Sequence, residues 1–283
     1  MLRWLAGRGA SQRHIERELA RITDDIWRAT ISRHVFLAGL SPREQEALRH
    51  RVAWLLASKD FSGAGGLDIT SDIMLSVAVQ AALPILELDP ALYEGWSEII
   101  LYPGGFVIPR TDMDESGVVH EYLQEASGEA WEGGPVILSW EDSEALPGLR
   151  ANVVIHEFAH KLDLYAGDAD GIPYLGGHRD IRPRDWGQIM QASFDEFNEE
   201  LALVEESIPA NVDPESDAAA PWYDSLPLDP YAATDHAEFF AVSSEAFFVD
   251  PAPLSHGLPQ WYELLQRYYR QDPLRRLAQA AVA

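Results

Sequence analysis

Cysteine is absent from all 283 residues. Its absence excludes disulfides, iron–sulfur clusters, thiolate zinc sites and cysteine nucleophiles. Any metal must rest on histidine, carboxylate or water. Lysine is nearly absent as well: Lys59 and Lys161 are the only two among 21 basic residues. Positive charge is scarce overall, with 46 acidic residues and a net charge of −25. Such a surface is a poor partner for phosphate backbones or anionic lipid, and the arginines are too scattered for a nucleic-acid track. No stretch approaches 18 apolar residues, so no membrane span is expected. Residues 1–10 carry arginines but no apolar segment and no processing site, so we expect no signal peptide and a cytoplasmic protein.

What is present suits a globular chain: 47% hydrophobic and 24% charged residues. The first 60 residues read as helices. Ser11 to Ile31 places apolar residues at helical spacing. Ser41, Pro42 and Glu44 form a capping box with proline at the first helical position. The helix they open carries one stripe, Leu48, Val52, Leu55 and Leu56. The three glycines of FSGAGGLDIT, 61–70, read as a turn. The segment SDIMLSVAVQAALPILEL reads as a buried helix that Pro84 ends or kinks.

The period then changes. Residues 97–109 and 118–140 read as short strands joined by glycine turns, with Pro135 where a strand begins. From Gly148 the pattern is helical again. The fold expected is α+β, a small sheet between helical layers. Residues 1–60 are expected to form a helical region packed on a catalytic body of residues 61–283, one continuous domain overall.

The sharpest feature is His156-Glu157-Phe158-Ala159-His160. On a helix, positions four apart share a face, so His156 and His160 can reach one ion about 2 Å away. Glu157 can approach that ion's water without ligating it, the H-E-x-x-H arrangement of zinc peptidases. The flanks are apolar, and a buried helix with two histidines and a glutamate has a polar problem that a metal solves. Zinc fits, since it accepts two imidazoles and a carboxylate with one position open. A third ligand must lie downstream. Residues 231–248 look like a helix capped by Thr234 or Asp235, with Glu238 and Glu245 seven apart on one face. Spacing does not choose between these two. One would ligate, and the other would hold a histidine by its free ring nitrogen. His236 also competes, although a solvent-facing cap suits it better. Ala241 and Val242 offer a small-residue surface for close packing on the first helix.

These segments, with GWSEIILYPGGFV at 95–107, GPVILSW at 134–140, DPYAATDHAEFFAVSSEAFF at 229–248 and RYYRQDPLRRL at 267–277, resemble the Mlc titration factor A family of gluzincin-type zinc peptidases. The likeness covers roughly residues 35–278. It implies a zincin-like core, one catalytic zinc ion and cytosolic peptidase activity. Carried over by position, His156, His160 and Glu238 match the metal ligands and Glu157 the catalytic glutamate. Tyr231 matches the tyrosine of the glutamate segment and is a candidate oxyanion donor, and Glu245 is left to support a histidine. The chain departs from the enterobacterial pattern in a longer stretch between His160 and Tyr231 and in His236, where proline is commoner. An enterobacterial member binds the repressor Mlc, but nothing in this sequence points to that partner.

The implied mechanism is hydrolysis by a metal-activated water with Glu157 as general base. The substrate would be a peptide or unstructured protein, and an aminopeptidase-like action on short peptides fits. PVILSW reads as an ordinary core strand, or as an exposed edge along which a substrate could add a strand. The loop 163–184, or the acidic tract 205–217, could cover the cleft. D-A-D-G at 168–171 lacks the remaining calcium-loop spacing and reads as a turn. Nine tryptophans, spread widely, read as packing. Tyr268, Tyr269 and Arg270 belong to a tail helix docked on the body, and Arg275 and Arg276 suit a helix end. Two rival classes remain. One is a metal-containing regulatory protein that sequesters a partner, against which the retained Glu157 argues. The other is a hydrolase of small amides.

Overall fold

The computed structural model describes residues 10–113, 119–144, 151–214 and 216–281. Residues 1–9, on which the targeting expectation rests, lie outside that set, as do Val118, residues 148–150 and Glu215.

Two short helices open the chain, α1 (Gln12–Arg21) and α2 (Asp24–Arg33). The helical stretch expected from Ser11 to Ile31 is therefore broken. Thr23 accepts from the Ile26 amide, and Asp24 and Asp25 fill the new first turn, a cap that starts a second helix. In α3 (Pro42–Ser58) the capping box forms as read, with the Ser41 amide donating to Glu44 and the Glu44 amide to Ser41 Oγ. Leu48, Val52 and Leu55 are fully buried, and Leu56 is partly so.

The glycine segment is not merely a turn, because β1 (Asp60–Gly63) runs into its first three residues and pairs with the next strand. Helix α4 (Ser71–Ala82) follows, buried from Leu75 to Ala82 and finished before Pro84. The strands are β2 (Glu98–Tyr102), β3 (Phe106–Met113), β4 (Val119–Ala126), β5 (Gly128–Ala130) and β6 (Val136–Ser139). The main sheet runs β1-β2-β6-β5, parallel except for the antiparallel β5–β6 pair, while β3 and β4 form a separate antiparallel ribbon. PVILSW thus has no free edge. As β6 it is hydrogen-bonded to β2 on one side and β5 on the other, so the expected substrate groove along it is corrected. The edge strands of this sheet are β1 and β5.

After the short α5 (Trp140–Ser143) come α6 (Val153–Leu164), α7 (Pro183–Ser207), α8 (Ala220–Tyr223), α9 (His236–Val249), α10 (Pro251–Gly257), α11 (Pro259–Tyr269) and α12 (Pro273–Ala280). The tryptophans divide as expected for packing. Trp186 and Trp261 meet edge to face at 5.1 Å, and Phe239, Phe240 and Tyr268 pack on them. Tyr268 and Tyr269 are buried, which docks α11 on the body. Arg275 and Arg276 stand in the first half of α12 and not at its end; Arg276 is buried and donates to the Phe36 carbonyl. No helix among the described residues is long and apolar enough to cross a membrane.

One buried polar hub fixes where α6 begins. Asn152 accepts from the Ile155 amide as N-cap, and its Nδ2 donates to Gln80 Oε1 at 2.7 Å. Gln80 donates in turn to the carbonyls of Ser76 and Ser143. Asn152→Ala removes the cap and leaves a buried acceptor on Gln80 without its donor. We expect a loss of about 2–3 kcal/mol, read as a shift in the urea midpoint at unchanged slope.

Candidate metal centre

Helix α6 holds the histidine pair because its other faces are apolar. Val154, Ile155, Phe158, Ala159 and Leu162 are fully buried, so the helix cannot rotate away from the face carrying His156 and His160. Helix α9 packs against it. It starts later than the sequence pattern suggested, since residues 230–233 form a separate 3-10 turn and Asp235 caps α9 by accepting from the Glu238 amide at 2.9 Å. That cap places Glu238 in the first turn.

Three donor atoms converge between these helices. His156 Nε2 lies 3.1 Å from His160 Nε2, and Glu238 Oε2 lies 3.1 and 3.4 Å from the two. A tetrahedral ion with bonds of about 2.0–2.1 Å separates its ligands by about 3.3–3.4 Å. The donor set therefore fits zinc in spacing as well as in chemistry. His156, His160 and Glu238 form the one potential metal group among the described residues. Glu245 approaches from the opposite side: its Oε1 is 2.6 Å from His156 Nδ1, and its Oε2 accepts from the Asn152 amide at 2.5 Å. The two glutamates that spacing left equivalent thus occupy opposite sides of the same imidazole.

The electrostatics follow from this crowding. Burial pulls His156 down, but Glu245, Glu238 and Glu157 outweigh it and raise its pKa well above the usual value. Burial pushes Glu238 up, yet hydrogen bonds from both histidines hold it far below the carboxylate range. Glu157 is only 4% exposed and its Oε2 has no hydrogen-bond partner. Burial raises its pKa, and the charges of Glu238 and Glu245 add to the rise while the histidines oppose it. Tyr231 stands at the mouth, 45% exposed, its ring 6.2 Å from that of His156. Burial of its hydroxyl and the nearby charges of Glu238 and Glu157 push it up to about 12.

His236 does not join the group and is not a solvent-facing cap. It is half-buried on the first turn of α9, edge-on to Phe194 at 4.7 Å. The D-A-D-G segment is a turn: Gly171 has φ +78° and its amide donates to the buried Asp163. A Cβ on Gly171 would lie 2.4 Å from the His236 carbonyl oxygen.

The centre opens into a cleft of about 1430 Å³. Strand β5 and residues 126–127 form one wall; Glu205, Pro214, Ser216 and Tyr223 form another. The acidic tract therefore borders the cleft, whereas the loop 163–184 contributes only Leu164 and Ala169. Two features escaped the sequence reading. Lys161, one turn of helix from Glu157, donates to the carbonyls of Trp131 and Gly134 at 2.6 and 2.8 Å and ties α6 to the β5–β6 turn. Gly128 faces Glu157 so closely that a Cβ there would lie 2.4 Å from Glu157 Oε1. The S-G-E stretch ahead of Pro135 was the only sequence signal for it.

The family model for glucose-regulated metallo-peptidase M90 matches residues 8–270. A protein named Mlc titration factor A from Serratia proteamaculans is 37% identical over 243 residues, 85% of each chain. Its namesake from Pectobacterium atrosepticum is 36% identical over 259 residues, 90% of this chain and 89% of its own. That from Klebsiella pneumoniae is 34% identical over 243 residues.

Gly128→Ala drives a methyl group into the Glu157 carboxylate. We expect about 1–3 kcal/mol of destabilisation from overpacking by chemical denaturation, with any metal stoichiometry unchanged because no metal-facing donor moves.

Proposed function

The chain belongs to the glucose-regulated metallo-peptidase M90 family, with its zincin-like α+β fold, and from that membership we propose a zinc-dependent peptidase that cleaves short or unstructured peptides, aminopeptidase substrates included. The observation that carries this reading is the convergence of His156, His160 and Glu238 at 3.1–3.4 Å beside a buried Glu157 from the same helix. Those three residues would hold the ion. When bound, zinc supplies Lewis acidity, lowering the pKa of water and polarising a carbonyl.

The remaining work falls to the chain's own groups. Glu157 accepts the proton of the attacking water and delivers it to the departing amine. Its raised pKa brings it toward the range where a carboxylate both takes and returns a proton. Tyr231 keeps its proton at neutral pH, since its pKa is about 12, and can donate to the oxygen that becomes negative. Glu245 fixes the orientation of His156 through Nδ1, which leaves Nε2 for the metal. The free edge of β5 supports an extended peptide laid alongside it by backbone hydrogen bonds. The relatives are named for titration of Mlc. We carry over the chemistry and not that partner, because no feature among the described residues identifies a repressor surface.

Glu157→Gln is expected to keep one zinc per chain by elemental analysis and to lose at least about a hundredfold in turnover on a peptide panel. Equal turnover in both proteins would remove Glu157 from the mechanism. Glu238→Ala should lower zinc occupancy more than Glu245→Ala, because one loses a donor and the other only its support. About 10–100-fold in affinity is expected for the Glu245 change, and the reverse order would overturn the ligand assignment.

A further inference from the structure

A second connection between α6 and α9 runs outside the metal centre. It starts at Asp163, about one turn of α6 beyond His160. The side chain is fully buried, and its Oδ2 accepts from the Gly171 amide at 2.7 Å. The Gly171 carbonyl is held as well, accepting from the indole Nε1 of the buried Trp186 on α7 at 2.8 Å. Both backbone polar groups of this glycine are thus tied to buried side chains, one on each of two helices. Gly171 in turn lies against His236, the first residue of α9. A Cβ on it would stand 2.4 Å from the His236 carbonyl oxygen and 3.0 Å from the carbon, inside any tolerable contact with backbone. From the other direction Phe194 of α7 meets the His236 ring. The start of α9 therefore sits between a turn anchored to α6 and a ring on α7.

That first turn carries Glu238. Helix ends fray, and their backbone opens more readily than the middle. Glu245 lies deeper in α9 and pairs with His156 and Asn152. It fixes where the helix lies but not the order of its first turn. A metal ligand must hold its place to within about half an ångström. A buried carboxylate is a costly anchor; what Asp163 gains is its hold on this turn. We propose that Asp163 and Gly171 are positioning residues of the metal centre: the turn they make bears on the start of α9 and keeps Glu238 at ligand distance from His156 and His160. This inference rests on the reading of those three residues as zinc ligands and adds the brace that aligns them.

Zinc affinity of the full chain, measured by competition with a chromophoric chelator, tests the brace without reference to turnover. Asp163→Ala removes the acceptor and is expected to weaken zinc about tenfold or more, as for other lost supports of a metal site. Asp163→Asn keeps an oxygen for the Gly171 amide, and its new Nδ2 replaces an Oδ1 that has no hydrogen-bond partner among the described residues. It should bind zinc within about threefold of the wild-type chain. Gly171→Ala displaces the His236 carbonyl and should weaken zinc at least as much as Asp163→Ala. With cobalt in place of zinc, the visible absorption of both weakened variants should shift and lose intensity as the tetrahedral set distorts. Val52→Ala truncates the fully buried core of α3, which lines none of the cleft; it controls for lost stability and should leave affinity and spectrum unchanged. Wild-type affinity in Asp163→Ala overturns the proposal, and so does an equal loss in Val52→Ala. If Gly171→Ala does not fold, the Asp163 variants decide, and an asparagine variant as weak as the alanine one overturns the hydrogen-bonded brace. Glu238→Ala separates the brace from the reading beneath it. Zinc held equally well without Glu238 removes the ligand assignment. Zinc lost there but retained in both Asp163→Ala and Gly171→Ala removes the brace alone.

Discussion

A largely buried imidazole held between two carboxylates governs this structure. His156 receives Glu245 at Nδ1 and faces Glu238 across Nε2. Charged groups taken out of water are costly unless each is paired and hydrogen-bonded. Here both carboxylates come from α9, so the two helices must sit at one depth and one rotation. The second oxygen of Glu245 reaches the Asn152 amide, so the carboxylate that orients the histidine also satisfies the start of the histidine's own helix. Asn152 then hands the constraint to Gln80 on α4. The metal-facing geometry is thus held by hydrogen bonds that run into three helices and not by the first turn of one.

The sheet meets this helix through a different pair of devices. Gly128 lets the edge strand come within a carboxylate's thickness of α6, and Lys161 draws the adjoining turn onto the same helix. Lys59 and Lys161, the only two lysines, are both buried, both donate to backbone carbonyls, and both lie over the Trp96 ring, at 3.8 and 4.8 Å. A compact ammonium with three rotatable donors suits a pocket of carbonyls and an aromatic face in a way that a planar guanidinium fork does not. Burial lowers Lys59 to about 7 and Lys161 to about 8. The scarcity of lysine therefore has a structural counterpart: the two lysines stand at two buried sites lined by carbonyls and the Trp96 ring.

Legibility in the sequence followed the range of the interaction. The capping box at Ser41, the buried run of α4 and the shared face of His156 and His160 are set by residues three or four apart, and each formed as read. The break at Thr23 was equally local, but a charge pattern that continues across it hid the cap. Strand β1 was missed because four residues among glycines carry no periodicity; only pairing with β2 makes them a strand. PVILSW reads more readily as an ordinary core strand than as an exposed edge, and the core strand is what forms, but hydrogen bonding on both sides is a property of its neighbours. His236 read as a cap because nothing in the sequence places Phe194, some forty residues earlier, against its ring.

By itself the sequence determined the chemistry that was possible: no thiolate, two imidazoles one helical turn apart, a glutamate beside the first, and two downstream carboxylates on one face. Those follow from composition and from the 3.6-residue period, which needs no tertiary partner. The family resemblance pointed to Glu238, but the physical ground lies in the folded chain, where Glu238 faces both imidazoles and Glu245 supports one from behind, because the two are equivalent in spacing and differ only in how far along α9 the crossing with α6 falls. The fold also decided that PVILSW is paired on both sides and that β5, an edge strand, borders the cleft. Each is a relation between segments far apart in the chain, fixed by packing that leaves no local trace.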